Sequence, residues 1–352
     1  MALVVDCHMH IIDEGWNPVN VTDGMGDSWA KQVRWFDPPQ SDPAYFERAW
    51  MESADPTGDL AVARMDAAGV DVSVMMPMDH GVGLGEPAVP IAEKVRLCAE
   101  AARRHRGRLF TFCGVDPRRR DALEILTRAV DEWGAIGLKL YPTNGFYPDD
   151  EVVYPLYRFC VSRDVPVLLH QGHSAGRHKS KFGHPVYVDA VAADFPELRL
   201  VFGHSARLET WAHEALSVAI YKANVFLDLS LWQHWISPDE LVRKVVWMRD
   251  RIGADRILFG SDMGGIEVSL TLGQWVEQFR MLPEWAKQLG FRISQEEVDM
   301  ILGENTRRIY NLPDYAGRPS GFIRSSGPVI LGEAEPSGRR IYDLPDYAGR
   351  RP

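Results

Sequence analysis

The stretch Leu3-Val4-Val5-Asp6-Cys7-His8-Met9-His10 joins a short apolar run to two histidines that are two residues apart. Such a run is typical of a buried strand, and side chains along a strand alternate between its two faces. His8 and His10 therefore point to the same side at the end of the predicted strand. Neutral imidazole is the commonest metal ligand in proteins, which makes the pair a candidate start of a metal site. Taken alone, the pair fits equally well a strand that simply ends in two polar residues.

The composition of the 352-residue chain bounds its class. Hydrophobic residues make up 45% and charged residues 25%, which is typical of a globular protein. The formal net charge of -10 argues against a nucleic-acid-binding surface. The sequence shows no apolar run of membrane-spanning length and no signal-peptide pattern at its start. Its four cysteines lack CxxC spacing, which indicates buried thiols of a reducing compartment. We therefore expect a cytoplasmic enzyme.

Eight apolar, β-branched runs recur along the chain, and amphipathic segments of helix length lie between them. The runs are mostly continuous rather than alternating, which indicates parallel strands buried on both faces. They span residues 3–10, 70–77, 109–115, 135–142, 165–172, 198–205, 225–230 and 256–263. Helices are predicted at 59–68, 91–106, 121–133, 152–163, 208–223 and 238–252. This repeat predicts an α/β fold, a (β/α)8 TIM barrel over residues 1–312. A doubly wound sheet is disfavoured because no GxGxxG follows the first strand.

The segment 11–58 is too long for a simple connection between a strand and a helix. It carries Trp16, Trp29, Trp35 and Trp50. Long loops in compact domains are usually functional lids or disordered segments, and disordered segments are poor in aromatic residues. The sequence therefore predicts a Trp-rich cap insertion over the mouth of the barrel.

The tail, residues 313–352, contains a duplication. The segment RRIYNLPDYAGR at 307–318 recurs as RRIYDLPDYAGR at 339–350. Two copies are too few for a repeat architecture, which needs at least three units to bury a core. A duplication without chemistry is the preferred interpretation, and an arm that packs on the neighbouring subunit of a homodimer is the alternative.

Polar side chains that suit catalysis follow five of the predicted strands. In a TIM barrel the active site is built at the C-terminal ends of the strands. Each of these residues alone is typical of a polar residue that caps a strand or packs in the core. Their common phase on one barrel predicts a single site. The candidates are His8 and His10 (first strand), Lys139 (fourth), His170 (fifth), His204 (sixth) and Asp262 (eighth).

The motifs in this order resemble the amidohydrolase superfamily, specifically the amidohydrolase-2 branch. That branch includes aminocarboxymuconate-semialdehyde decarboxylase and many metal-dependent hydrolases. The resemblance covers residues 1–312 and rests on DCHMH, GLKLYP, LLHQGH, VFGHS, LFGSD and the late LGENTR. It implies that a divalent metal is held by four residues and that His204 lies beside it. The implied metal ligands are His8, His10, His170 and Asp262.

The chemistry of these residue types can be argued separately. Imidazoles with one carboxylate suit Zn²⁺, or another first-row ion such as Mn²⁺, and leave positions open for water and substrate. A bound divalent ion lowers the pKa of water towards neutrality and polarises a carbonyl. Asp262 is then the predicted general base, and His204 is predicted to stabilise an oxyanion or protonate a leaving group.

Lys139 has three interpretations from sequence. Its ammonium can bind a substrate carboxylate, or its carboxylated form can bridge two metals, as in the binuclear branches of the superfamily. Alternatively, its stem packs in the barrel while its charge pairs with an acid.

The substrate is less well defined by the sequence. Arg207 has the fork geometry of a carboxylate clamp, and His173 belongs to a basic loop that can steer an anion. Trp232 suggests a flat substrate, although a core position suits it equally. The leading hypothesis is a hydrolase of a small anionic cyclic or aromatic compound. A non-oxidative decarboxylase is the second, and a metal-bearing binding protein without turnover is the third.

Overall fold

The structure is a computed structural model that describes residues 2–18, 21, 52–207, 209–262 and 270–313. Most of the predicted cap insertion and nearly all of the predicted tail lie outside these residues, so both stay predictions. Met1–Leu312 form one compact unit. In the part of the chain that is described, no helix is long and apolar enough to cross a membrane.

Short parallel strands alternate with helices along this unit. Consecutive strands pair in parallel, within one sheet of β1-β2-β3 and a second that runs in order from β4 to β9. The strands are β1 (Val5–Met9), β2 (Val72–Met75), β3 (Leu109–Thr111), β4 (Cys113–Gly114), β5 (Leu138–Leu140), β6 (Val167–His170), β7 (Leu200–Gly203), β8 (Val225–Asp228) and β9 (Ile257–Leu258).

Backbone hydrogen bonds join the two sheets into a barrel. The N–H of Phe112, between β3 and β4, donates to the carbonyl of Met75 at 2.9 Å, so β3 and β4 form one strand of the barrel. On the other side, the N–H of Cys7 in β1 donates to the carbonyl of Phe259, just after β9, at 3.1 Å. The barrel therefore closes with eight strands, as the eight apolar runs predict.

The predicted helices are confirmed, and several others appear. The helix that begins at Pro238 has a capping box, because Ser237 accepts the N–H of Glu240 and the Glu240 carboxylate accepts the N–H of Ser237. The helices are α1 (Asp59–Ala68), α2 (Gly81–Leu84), α3 (Ile91–Arg104), α4 (Ala122–Arg128), α5 (Tyr154–Ser162), α6 (Tyr187–Asp194), α7 (Glu209–Tyr221), α8 (Pro238–Ile252), α9 (Leu272–Arg280), α10 (Leu282–Gln288), α11 (Gln295–Asp299) and α12 (Asn305–Ile309). The last four, α2 and α6 were not among the sequence predictions.

A buried carboxyl connects the first and last strands where the site begins. Asp6 is 1% exposed, and its Oδ1 accepts the backbone N–H groups of His8 at 3.2 Å and Ser261 at 2.9 Å. The Ser261 hydroxyl donates to the other carboxyl oxygen at 2.5 Å. Because burial is its largest influence, the pKa of Asp6 is raised to about 7. This contact holds the end of β1 next to the segment that carries Asp262.

Candidate metal centre

The two histidines of β1 meet Asp262 across the closed barrel. Nε2 of His8 lies 3.1 Å from Oδ1 of Asp262, and Nε2 of His10 lies 3.0 Å from the same oxygen. The backbone N–H of Asp262 donates to the carbonyl of His8 at 2.7 Å, in a turn where Asp262 has a φ of 58°. The structure thus brings together three of the four residues implied as ligands.

Acceptors behind the two imidazoles decide which nitrogen carries the proton. Nδ1 of His10 lies 2.7 Å from the carbonyl of Met76, and Nδ1 of His8 lies 2.7 Å from Oδ2 of Asp228. A carbonyl or carboxylate oxygen only accepts, so each Nδ1 must donate and each Nε2 keeps a lone pair. The lone pair on Nε2 of His10 then faces the carboxylate of Asp262, and that on Nε2 of His8 faces both this carboxylate and Nζ of Lys139, 2.9 Å away. A cation satisfies this arrangement, and the donor set fits a divalent metal.

The ionisation states of His8 and Asp262 also suit metal ligation. Burial lowers the pKa of His8, which keeps its imidazole neutral. Burial alone would raise the pKa of Asp262, but the neighbouring imidazoles hold it well below its usual value. Metal ligation requires neutral imidazole and ionised carboxylate, and these are the states of His8 and Asp262 near neutral pH.

Lys139 also reaches this centre. The residue lies in β5 and is 2% exposed, and its Nζ lies 2.9 Å from Nε2 of His8. Burial lowers the pKa of Lys139 to about 8. The predicted placement of Lys139 at the strand end is therefore matched, and its amine faces the metal-ligand candidate His8.

His204 sits in a strained turn directly after β7. His204, Ser205 and Ala206 have φ angles of 62°, 43° and 55°, which are costly for residues other than glycine. Asp228 accepts the backbone N–H of His204 on its side chain at 3.3 Å and the Ser205 hydroxyl on its carbonyl at 2.8 Å. The indole N–H of Trp232 donates to the carbonyl of His204 at 2.7 Å. Trp232 is thus buried and holds the turn, and its predicted contact with substrate stays a prediction.

The imidazole of His204 stacks on that of His8, with ring centroids 4.8 Å apart. Its Nε2 lies 3.9 Å from Oδ1 of Asp262, and its Nδ1 lies 2.9 Å from the hydroxyl of Ser230. Burial lowers the pKa of His204 to about 3. The neutral ring therefore lies beside the metal-ligand candidates, where the resemblance places it.

His170 ends β6 and lies at the edge of this cluster. Its ring is 4.9 Å from that of His204 and stacks on Tyr141 at 4.3 Å. Its Nε2 lies 2.8 Å from the hydroxyl of Ser174, whereas its buried Nδ1 has no hydrogen-bond partner among the described residues. His170 is therefore next to the proposed centre, with one nitrogen still unpaired.

Two further predicted residues lie in neighbouring loops. Arg207 is largely buried, its guanidinium lies 5.2 Å from the ring centroid of Trp235, and burial lowers its pKa. Its Nε has no hydrogen-bond partner in the described part of the chain. His173 is exposed, and its ring stacks on that of Trp211 at 4.2 Å. Arg207 suits a ligand anion better than His173, which is engaged in an aromatic stack.

Sequence reasoning missed Asp228 and Ser230. Both are fully buried, and both contact His8 and His204 through their side chains. They end the seventh apolar run as Leu227-Asp228-Leu229-Ser230, so the rule that found the other candidates also applies to them.

Comparisons with known proteins agree with this geometry. The sequence profile described as "Amidohydrolase" (Amidohydro_2) matches residues 5–312. The chain belongs to the amidohydrolase family. Members of this family are metal-dependent enzymes that act on small molecules. The search of curated proteins found no match.

Solved structures show the same fold at low sequence identity. An uncharacterised TIM-barrel protein from Bordetella bronchiseptica is 21% identical, with a TM-score of 0.60 over 88% of this chain and 98% of that one. A 5-carboxyvanillate decarboxylase from Novosphingobium aromaticivorans, in complex with manganese and a nitrobenzoic acid, is 16% identical, with a TM-score of 0.59 over 88% and 96%. An amidohydrolase from Burkholderia multivorans with bound zinc is 16% identical, with a TM-score of 0.56 over 89% and 100%.

Proposed function

We propose that this protein is a metal-dependent hydrolase of a small anionic cyclic or aromatic compound, with an amide, ester or ring C–N bond as the bond that is cleaved. The observation that carries this proposal is the convergence of two unprotonated imidazole nitrogens, from His8 and His10, on one oxygen of Asp262. His170 is the fourth proposed ligand, and its unpaired buried Nδ1 supports that role.

The proposed roles follow from contacts of the chain's own residues. The bound metal would supply an activated water and a polarised substrate oxygen. The carboxylate of Asp262 is the proposed general base for the proton of that water. His204, with its Nε2 3.9 Å from Oδ1 of Asp262, is placed to exchange a proton with the leaving group or to stabilise an oxyanion.

Zn²⁺ is the proposed metal, with Mn²⁺ as the alternative. Three imidazoles and one carboxylate suit zinc, and the solved relatives with bound zinc and manganese support both ions. A mononuclear site is the leading proposal, in which the Nε2 lone pair of His8 would go to the metal instead of to Nζ of Lys139, 2.9 Å away. A carboxylated Lys139, together with His204 as a second-metal ligand, would instead make the centre binuclear.

Arg207 supports an anionic substrate. A guanidinium that is largely buried, with an unpaired Nε, has lost its hydration and is suited to a bidentate carboxylate. His173 and Trp232 are the other proposed substrate contacts.

A non-oxidative decarboxylase of an aromatic or unsaturated acid is the second candidate. It is favoured by the structural similarity to the manganese-bound 5-carboxyvanillate decarboxylase. In that reaction the metal that these residues would hold would bind the substrate carboxylate and a neighbouring oxygen, and Asp262 or His204 would protonate the ring carbon.

The decisive experiment measures metal content per chain, by elemental analysis, for the wild type and for Lys139→Ala. About one ion in both proteins is expected for the mononuclear site. About two ions, falling on loss of Lys139, would overturn the mononuclear proposal and nearly exclude decarboxylation. A protein that takes up no metal after reconstitution would overturn the catalytic proposal as a whole.

Product analysis separates the remaining functions. Only the decarboxylase releases CO₂ without consuming water. A binding protein without turnover would keep its ligand affinity and biological effect in His204→Asn, whereas either enzyme would lose turnover.

We also propose a cytoplasmic homodimer with a barrel domain at 1–312 and a tail at 313–352. The free, buried thiols of Cys7, Cys98, Cys113 and Cys160 support a reducing compartment. Deletion of residues 319–352 followed by measurement of the mass in solution tests the tail, since an unchanged oligomer would exclude it as the subunit contact.

A further inference from the structure

One hydroxyl lies between the two stacked imidazoles of the site. The Oγ of Ser230 lies 2.9 Å from Nδ1 of His204, 3.1 Å from Nδ1 of His8 and 2.8 Å from Oδ2 of Asp228. Ser230 is fully buried, so bulk water does not compete for these contacts. A hydroxyl has a single proton and two lone pairs. It cannot donate to all three neighbours, and the contacts therefore have a definite direction.

The backbone around Asp228 fixes that direction. Oδ1 of Asp228 accepts the N–H of Ser230 at 2.6 Å, and Oδ2 accepts the N–H of His204 at 3.3 Å. A carboxyl group that accepts an amide on each oxygen behaves as an ionised acceptor. The 2.8 Å contact between Ser230 Oγ and Asp228 Oδ2 needs a proton, and only the hydroxyl can supply it. Ser230 therefore donates to Asp228 and accepts from Nδ1 of His204, since the Nδ1 proton of His8 goes to the nearer Asp228.

We propose that Ser230 is a positioning residue that keeps the proton of His204 on Nδ1 and leaves Nε2 unprotonated. The imidazole of His204 then presents a lone pair towards Asp262. The catalytic meaning of this tautomer rests on the proposed function, whereas the tautomer itself is a property of the free protein.

The proposal orders the proton transfers at His204. A ring with an unprotonated Nε2 must first take up the proton that Asp262 removes from the O–H of water before it can give one to a leaving group. The electron pair of the broken O–H bond stays on oxygen, and the proton later moves from Nε2 to the leaving atom, which restores the starting tautomer. Ser230 touches neither reactant, so its influence acts through His204.

The role of Ser230 is separable from metal binding. Nδ1 of His8 lies 2.7 Å from Asp228, closer than its 3.1 Å from Ser230. Loss of the Ser230 hydroxyl therefore leaves His8 with its main acceptor but deprives Nδ1 of His204 of the only hydrogen-bond partner described for it. We expect a substitution of Ser230 to change the tautomer of His204 and to leave the metal content unchanged.

The test is long-range ¹H–¹⁵N correlation NMR of protein labelled with ¹⁵N-histidine, in the absence of metal. His204→Gln identifies the His204 signals by their loss. The expected wild-type result is a protonated Nδ1 and an unprotonated Nε2. A wild-type His204 protonated on Nε2 would overturn the proposal without any variant.

Three variants complete the test. In Ser230→Ala we expect the Nε2-protonated tautomer to become populated, and in Ser230→Thr, which keeps the hydroxyl, the wild-type pattern. Ser217→Ala is the matched control, because Ser217 donates to a backbone carbonyl on the exposed face of α7. A Ser230→Ala spectrum identical to the wild type would overturn the proposal.

Zinc uptake by the same proteins distinguishes the proposed role of Ser230 from the proposed metal-dependent function. Wild type and Ser230→Ala are expected to bind the same amount of zinc in elemental analysis. If neither binds zinc, the proposed function fails while the NMR result still decides the role of Ser230. A loss of zinc in Ser230→Ala alone would show that Ser230 supports the metal ligands, which contradicts its assignment to His204.

Discussion

Nδ1 of His8 donates to Oδ2 of Asp228 at 2.7 Å, across 220 residues of sequence. Burial alone would raise the pKa of Asp228, but its hydrogen bond and charge interaction with His8, among other contacts, lower it overall. The contact turns the Nε2 lone pair of His8 towards Asp262. A carboxylate behind a ligating histidine fixes the ring and raises its basicity.

Asp228→Asn is therefore expected to weaken metal binding. Loss of such a supporting contact typically lowers metal affinity by about 10- to 100-fold. The affinity is measured by competition with a chelator of known strength at fixed pH. Asp131→Asn is the control, since Asp131 pairs with Arg163 on the surface. An unchanged affinity in Asp228→Asn would show that the contact does not tune the metal site.

Arg207→Met is expected to weaken binding of an anionic substrate and to leave metal content unchanged. The guanidinium is buried beside Trp235, and a charged hydrogen bond to substrate is worth roughly 1.5–3 kcal/mol. This corresponds to a rise in KM of roughly 10- to 150-fold, measured by steady-state kinetics on an active anionic compound. Arg251→Met, on the exposed face of α8, is the control. A KM equal to that of the wild type would exclude Arg207 as the clamp.

Lys94 is expected to make stability depend on pH. Its buried ammonium donates to the carbonyls of Trp16 and Met78 and to the side chain of Asn17, and burial lowers its pKa from 10.5 to about 8. Between these values the unfolded chain binds more protons than the folded one, so this group makes the free energy of unfolding rise with pH. A shift of this size corresponds to roughly 3 kcal/mol.

Urea unfolding at pH 7.5, 9 and 10 measures that dependence. Relative to Lys94→Met, the wild type should gain stability as the pH rises through this window. The exposed Lys287→Met should show the same pH dependence as the wild type. Parallel curves for the wild type and Lys94→Met would contradict the prediction.

Gly114→Ala is expected to destabilise the barrel. A Cβ at this position in β4 would lie 1.7 Å from the carbonyl oxygen of Pro77, so the backbone would have to move. Overpacking of this kind costs about 3 kcal/mol. At Gly273 in α9 the nearest atom would be 3.5 Å away, an ordinary contact. Thermal unfolding should therefore show a clearly lower Tm for Gly114→Ala and an unchanged Tm for Gly273→Ala.

The order of strands and helices could be predicted because local patterns of apolar and polar residues indicate it. Apolar runs buried on both faces predict parallel strands, and eight of them with intervening amphipathic segments predict a barrel. The helices after Asp262 were missed because no strand follows them to mark the repeat. α6 was missed because it is short, with the eight residues of Tyr187–Asp194.

The sequence by itself determined that His8 and His10 share a face, since the period of a strand is two, and that His204 and Asp262 follow later strands. Only the tertiary structure decided which atoms face one another. Closure of the barrel brings Asp262 to His8. Side chains far apart in sequence then decide which ring nitrogen of each histidine is protonated. Asp228 and Ser230 act on His8 and His204 through hydrogen bonds over 24 to 222 residues. The direction of these hydrogen bonds depends on donors and acceptors that meet only in the folded chain.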